Sequence, residues 1–343
     1  MARESTRRLL FVGAVHEAEP ALAALVDSAV DITEVYTVPK PQGSAPSGYV
    51  DLTPFAAAHG IPVRRAVDIN AAEEVEHIRR LEPDVIVVVG WNRLLGAEVL
   101  AIPPRGCIGF HASLLPRFRG RAPVNWAILR GEHETGNTMM FLNAGTDTGD
   151  IIDQHHVAIE ATDTCGTVYS RVAEAGATML RVHLPAILNG TAPRRPQERS
   201  NADLLPKRTP AMGITSWDRP ARAVHDWIRA LTTPYPGAFA FWEGHKVMLW
   251  AADVPDDTGQ LGHAGEVIAR GEEGVRVATA NGSLLLTSMS LEGSPPQTAF
   301  SWADEHRMEL HDRFEPVDRE TARWALGLES ASVGIHSGGK YAS

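Results

Sequence analysis

The chain is 343 residues long, 44% hydrophobic and 22% charged, with a formal net charge of −10. Such a length predicts two domains, since single cores rarely grow past about 250–300 residues, and the composition is ordinary for a soluble globular enzyme. No apolar run reaches the roughly 18 residues that a membrane helix needs. The two cysteines, Cys107 and Cys165, give neither a disulfide framework nor a cysteine metal site, so a cytoplasmic protein is expected.

The charged start of MARESTRRLLFVGAV and its apolar stretch imitate a secretion signal, but the stretch is too brief. Leu9-Leu10-Phe11-Val12 reads instead as a buried strand, with a helix over 20–28 behind it. The loop Gly13-Ala14-Val15-His16 has no G-x-G-x-x-G, so the usual phosphate turn of a dinucleotide site is missing. A strand over 31–38, a turn-rich loop over 39–48, a helix near 52–59 and a short strand at 61–64 come next. The helix over 71–81 carries Glu73, Glu74, Glu76, Arg79 and Arg80, which read as a solvated face. Residues 84–89 form the most apolar, β-branched run of the chain and predict a central parallel strand, ending in Gly90-Trp91-Asn92-Arg93.

A further strand over 107–110 ends on His111, and the tight Ser113-Leu114-Leu115-Pro116 segment and the cationic loop from Arg117 to Arg121 follow. Then come a helix over 123–129, a strand over 138–142, and a glycine-punctuated loop holding Asp147. A strand over 151–159 and a long helix over 164–188, closed by Gly190, complete a first domain at 1–190. Strands separated by helices predict an α/β fold with a doubly wound, mostly parallel, Rossmann-like sheet. In such sheets ligands lie beyond the carboxyl ends of the strands. His111 and Asp147 are both expected there, as an acid–base pair.

Residues 191–213 are proline-rich and charged and read as a linker. A second domain over 214–320 opens with a helix over 221–231. Short strands at 238–242, 246–251, 265–269, 274–278 and 283–289 then predict a small β-barrel. The tail, 321–343, carries no visible chemistry, and its end reads as disordered. His155-His156 lies on a strand, where side chains alternate faces, so no metal site is expected.

H-x-S-L-L-P at His111, R-G-x-x-P at Arg119, E-T-G-x-T at Glu134 and D-T-G-D at Asp147 together resemble the folate-dependent formyltransferases. The second domain is similar to the OB-like domain that follows the catalytic domain in several of them. The resemblance implies transfer of the formyl group of 10-formyltetrahydrofolate to an amine, without a metal. It implies catalytic roles for His111 and Asp147, and folate contacts from Trp91, Ser113, Leu114, Leu115, Pro116 and Asp147. Arg119, Arg121, Asn125 and Trp126 would face the acceptor. One position departs from the pattern: the family places Asn two residues before the histidine, and here stands Gly109. Loss of one oxyanion donor typically costs on the order of 10²–10³ in rate. Gly109 reads either as a packing position in the strand or as the mark of an altered site. For the latter, Asn92, leaving the neighbouring strand, is the candidate substitute donor, ahead of Asn125, beside the plainer reading of Asn92 as a turn cap.

For the acceptor, the strings from Arg119 to Trp126 and from Pro234 to Phe239 resemble those of amino-sugar formyltransferases. A small amine is therefore expected, on an amino sugar-nucleotide or a specialised metabolite such as a hydroxyornithine. The initiator-tRNA formyltransferases share this architecture, with a lysine-rich loop where this chain offers only Lys40. Residues 215–320 hold nine Lys and Arg against seventeen Asp and Glu, a balance that argues against a tRNA partner. Methionyl-tRNA formyltransferase, a 10-formyltetrahydrofolate hydrolase and a catalytically impaired folate binder stand as alternatives. Family analogy adds a homodimer through the second domain.

Overall fold

The computed structural model describes residues 7–28, 30–40, 47–91, 93–198, 204–259 and 261–328. By its internal contacts the chain divides into two units. The first is built from the chain up to Pro123, Glu134–Ile159 and Thr167–Leu204; the second takes Val124–His133, Glu160–Gly166 and the chain from Leu205 onward.

The first unit is built on seven strands: β1 (Arg8–Gly13), β2 (Asp31–Thr37), β3 (Val63–Arg65), β4 (Val85–Val89), β5 (Cys107–His111), β6 (Glu134–Phe141) and β7 (Ile151–Ala158), in the order β3-β2-β1-β4-β5-β6-β7. Helices α1 (Ala18–Val26), α2 (Thr53–Ala58), α3 (Ala72–Leu81) and α4 (Ala97–Leu100) separate the first five strands. Helix α5 (Pro123–Leu129) separates β5 from β6, and α6 (Cys165–Asn189) follows β7. Strand β4 is the middle of the sheet because its β-branched side chains suit burial on both faces. Val85, Val87 and Val89 join one core cluster, while Ile86 and Val88 join the other. The same alternation splits Leu9 and Phe11 from Leu10 and Val12 on β1.

Two sequence expectations change here. Strand β6 runs antiparallel to β5, with Ile108 opposite Phe141 and His111 opposite Thr138. Its end therefore lies at the start of β5, and Asp147 does not leave from the same sheet edge as His111. The reason is visible in α5, whose residues from Val124 on group with the second unit. The β5–α5–β6 stretch is thus no crossover helix packed on its own sheet, and a parallel return is not required. The second change concerns Glu74, which is buried rather than solvated. Its carboxylate accepts from Arg64 Nε at 2.5 Å and from the Tyr36 hydroxyl at 2.9 Å.

Arg64 first, with Tyr36, holds the Glu74 carboxyl below its ordinary range. A carboxyl so held contributes stability above its unfolded value and loses it as pH falls through the lowered folded value. Glu74→Gln is expected to cost about 2 kcal/mol at pH 7, in the range of hydrogen bonds to charged groups. Urea unfolding checks this, and the difference from the parent should shrink in acid.

The second unit carries helix α7 (Ala221–Leu231) and strands β8 (Ala238–Trp242), β9 (His245–Asp253), β10 (Val267–Gly271), β11 (Gly274–Ala278), β12 (Ser283–Leu291) and β13 (Gln297–Thr298). The sheet order is β10-β11-β12-β9-β8, with β13 beside β12 and every pairing antiparallel. Two short helices complete it, α8 (Ala299–Glu305) and α9 (Arg319–Ala325). The latter occupies the start of the expected tail: the Asp318 carboxylate accepts from the Thr321 amide at 2.9 Å and caps it. Residues 329–343, where the disordered end was expected, lie outside the described residues. No described helix is long and apolar enough to cross a membrane.

Candidate active site

His111 is the last residue of β5 and only 8% exposed. Its Nε2 lies 2.8 Å from the Phe118 carbonyl, which can only accept, so this nitrogen carries a hydrogen. Nδ1 then faces Asp147 Oδ1 at 3.6 Å, an ion-pair distance rather than a hydrogen bond. A proton taken up at Nδ1 would therefore meet a carboxylate already in place.

Asp147 reaches this position because its loop turns back after β6. The residue takes the left-handed conformation, φ 53°, which aspartate tolerates better than most side chains. Its Oδ2 accepts from the Gly120 amide at 2.9 Å, which ties the R-G-x-x-P loop to the D-T-G-D loop. Gln197 binds the back of the same loop, donating to the carbonyls of Asp147 and Gly149 at 2.9 and 2.8 Å. Its Oε1 accepts from Arg119 Nε at 3.2 Å.

Gln197 was hidden in the sequence because it falls in a segment of linker composition. The segment is instead fixed to the first unit, where Arg195 pairs with Ile151 and donates to Gln154 Oε1. Gln197→Ala is expected to lower kcat roughly fivefold. One neutral hydrogen bond contributes about 1 kcal/mol, and about 1.4 kcal/mol of barrier is tenfold in rate. Steady-state kinetics at saturating substrates check this.

The Ser113–Pro116 turn is held by β6 and β7. Ser113 is fully buried and donates its hydroxyl to the Arg117 carbonyl at 2.7 Å. Thr138 donates to the Ser113 carbonyl and accepts from the Leu115 amide, while Gln154 donates to the Leu115 carbonyl. The Leu114 carbonyl accepts from the Arg117 amide at 3.1 Å, and the Leu115–Pro116 bond is cis. Thr138, the last residue of the E-T-G-x-T motif, thus holds the turn, as does Gln154, which no motif contains.

Other expected site residues go elsewhere. Asn125 is fully buried and donates to the Ala230 carbonyl at 2.5 Å, within the second unit. Trp126 is 2% exposed there, donating to the Pro206 carbonyl with Arg208 over its ring at 4.8 Å. Both are packing residues in this geometry, in place of the expected acceptor contacts. Arg119 is spent on Gln197, whereas Arg121 is exposed with no partner among the described residues. Trp91 packs against one core cluster, with its indole N–H buried and unpaired. Asn92 lies outside the described residues.

Gly109 is explained by packing. A Cβ placed there would lie 2.4 Å from Leu142 Cδ2 and 2.9 Å from Leu142 Cγ. Leu142 covers the strand where a larger residue would stand, so the two positions form one packing solution.

The family model for formyl transferase matches residues 8–183, and the model for the formyl transferase C-terminal domain matches residues 207–307. The chain belongs to the formyl transferase family. Among relatives, this formyl transferase is 38% identical over 306 residues to methionyl-tRNA formyltransferase of Moorella thermoacetica, covering 88% of this chain and 97% of that protein. Among solved structures it is similar in fold to the N-formyltransferase from Helicobacter canadensis in complex with folinic acid and dTDP-3-aminofucose. The TM-score is 0.64 at 18% identity, covering 82% of this chain and 98% of that one. HypX from Aquifex aeolicus in complex with tetrahydrofolic acid is similar at TM-score 0.64 and 20% identity. The match covers 91% of this formyl transferase but 49% of HypX, so the chain spans about half that protein's length.

The relatives overturn the expectation against tRNA, since further ones at 32–38% identity carry the same name, methionyl-tRNA formyltransferase. The expectation rested on a charge count over a whole domain. At physiological salt, exposed charges are screened beyond about 8 Å, so distant carboxylates do not decide a local contact. Many are also paired within the second unit, as Asp226 is with Arg229 and Asp257 with Arg276.

Proposed function

We propose that this formyl transferase moves the formyl group of 10-formyltetrahydrofolate to the α-amine of methionyl-tRNA. The observation that carries the acceptor is the alignment with a methionyl-tRNA formyltransferase over 97% of that protein, through both domains. The donor is supported by the rim of the first sheet: Trp91 keeps a buried, unpaired indole N–H there, which a ring carbonyl would satisfy. Trp91 and the Ser113–Pro116 turn would hold the donor, which supplies the formyl carbon.

The remaining chemistry belongs to the chain. With its Nε2–H committed to the Phe118 carbonyl, His111 can donate to an oxygen that gains charge only through Nδ1, once that nitrogen is protonated. Its Nδ1 can also hold the proton released by the amine, with the Asp147 carboxylate at 3.6 Å stabilising the imidazolium. The Gly120 amide and Gln197 keep that carboxylate in place.

The test combines purified protein, 10-formyltetrahydrofolate and one acceptor at a time: methionyl-tRNA, a dTDP-linked amino sugar, N-hydroxyornithine, or none. Release of tetrahydrofolate that depends on methionyl-tRNA supports the reading. Release with only a small amine, or with no amine at all, would overturn it.

A further inference from the structure

Glu17 is a carboxylate the mechanism above does not use. After β1 the chain runs through Ala14–Glu17 into α1, and backbone bonds lace this segment to its neighbours. Ala14 donates to the Gly90 carbonyl, Val50 to the Ala14 carbonyl and His16 to the Gly48 carbonyl, at 3.3, 3.0 and 2.8 Å. Glu17 therefore stands at the carboxyl ends of β1 and β4, two strands from His111 on β5, or about 10 Å at the usual strand spacing. Gly90, at the end of the strand between them, carries no side chain and takes φ 62°. A Cβ there would meet Val15 Cγ2 at 2.3 Å and Glu17 Oε2 at 3.4 Å.

The side chain is half-buried and does not cap α1, although the residue sits at the cap position. Among the described residues its carboxylate has neither a hydrogen bond nor an ion pair. Burial alone pushes it up to about 7. The groups around it do not compensate. Glu19 on the same helix is exposed, and His16 packs edge-on against Tyr169, with ring centroids 5.4 Å apart. The Gly90–Trp91 turn brings no charge, and the Gly48–Val50 segment brings only the Tyr49 phenol. A half-buried carboxylate without a partner is open to a cationic group, and a strand-end rim is where ligands bind.

We infer that Glu17 is the anionic subsite that receives the protonated amine of the acceptor and takes its surplus proton before attack. The inference rests on the formyl-transfer reading. An aliphatic α-amine has a pKa near 8 and arrives largely as ammonium, its lone pair blocked. Transfer to Glu17 breaks one N–H bond and forms one O–H bond, turning an ammonium and a carboxylate into a neutral amine and a neutral acid. The freed lone pair attacks the formyl carbon, the second amine proton passes to the His111–Asp147 pair and on to N10 of the folate, and the N10–formyl carbon bond breaks to release the formylated amine and tetrahydrofolate. Two protons thus meet two bases, and an acid that titrates near the working pH suits the first step.

Glu17→Gln in the full chain tests this. The KM for methionyl-tRNA should rise tenfold or more, with the KM for 10-formyltetrahydrofolate unchanged within twofold. At pH 8 the variant should melt at a higher temperature than the parent, because glutamine buries no charge where the carboxylate does. An unchanged acceptor KM overturns the inference while leaving formyl transfer intact. If the parent formylates only another amine, the methionyl-tRNA reading fails, and the same KM comparison with that amine decides the role of Glu17. If the parent formylates no amine, both fail.

Discussion

His111→Gln is expected to lower kcat/KM for formyl transfer by about 10³-fold, inside the 10²–10⁴ that a positioned proton-transfer group contributes. Glutamine can still donate toward the Phe118 carbonyl that the imidazole Nε2 binds at 2.8 Å. What it cannot do is accept a proton opposite Asp147. The loss should therefore fall on the chemical step, with the KM for the folate donor changed little and the melting temperature within a few degrees of the parent. Single-turnover kinetics beside a thermal melt separate the two effects. A drop smaller than tenfold would remove His111 from proton transfer and reduce it to a buried strand-end residue.

Gly149→Ala should be the most damaging single methyl addition in the loop that carries Asp147. A Cβ at this position would lie 1.6 Å from the Phe141 carbonyl oxygen, and the neighbour is backbone rather than a side chain that could swing away. The Phe141 amide is itself held by the Asp150 carbonyl at 2.9 Å, so strand and loop would have to separate. Overpacking usually costs 1–3 kcal/mol, and with no flexible neighbour the expected loss is about 3 kcal/mol or more. Asp147, two residues earlier, would move with the loop, so activity should fall even where the protein stays folded. A urea midpoint matching the parent would show that the backbone gives way more easily than this close approach implies.

The parts of the fold legible in the sequence are those where one local pattern decides. Strand β4 is a run of β-branched residues, and α7 shows a helical apolar face, so both fall where periodicity places them. His111 and Asp147 come together as their motifs imply, but not by the route expected. Strand direction is a property of pairing, and nothing in residues 134–141 tells an antiparallel return from a crossover. Glu74 on α3 was misread for a similar reason: its partners Arg64 and Tyr36 lie 10 and 38 residues away. Gln197 sits in a proline-rich, charged stretch, and composition cannot show that such a stretch is stitched to a strand edge. The sequence left Gly109 open between a packing position and a lost donor because the residue filling its space, Leu142, is distant in sequence.

The division of the chain has a consequence for how it is made. Asn125 and the carbonyl it binds, that of Ala230, are 105 residues apart, and both belong to the second unit. At about 5–20 residues per second on the ribosome, the 124–133 segment waits roughly 5–20 s before its partners emerge. During that interval Trp126 lacks Pro206, Arg208 and Gly327, which later pack around its ring. A nascent chain stalled near residue 200 should therefore expose that indole to quenchers and to trigger-type chaperones. A gene fragment beginning at Leu205 would lack a piece of its own interior.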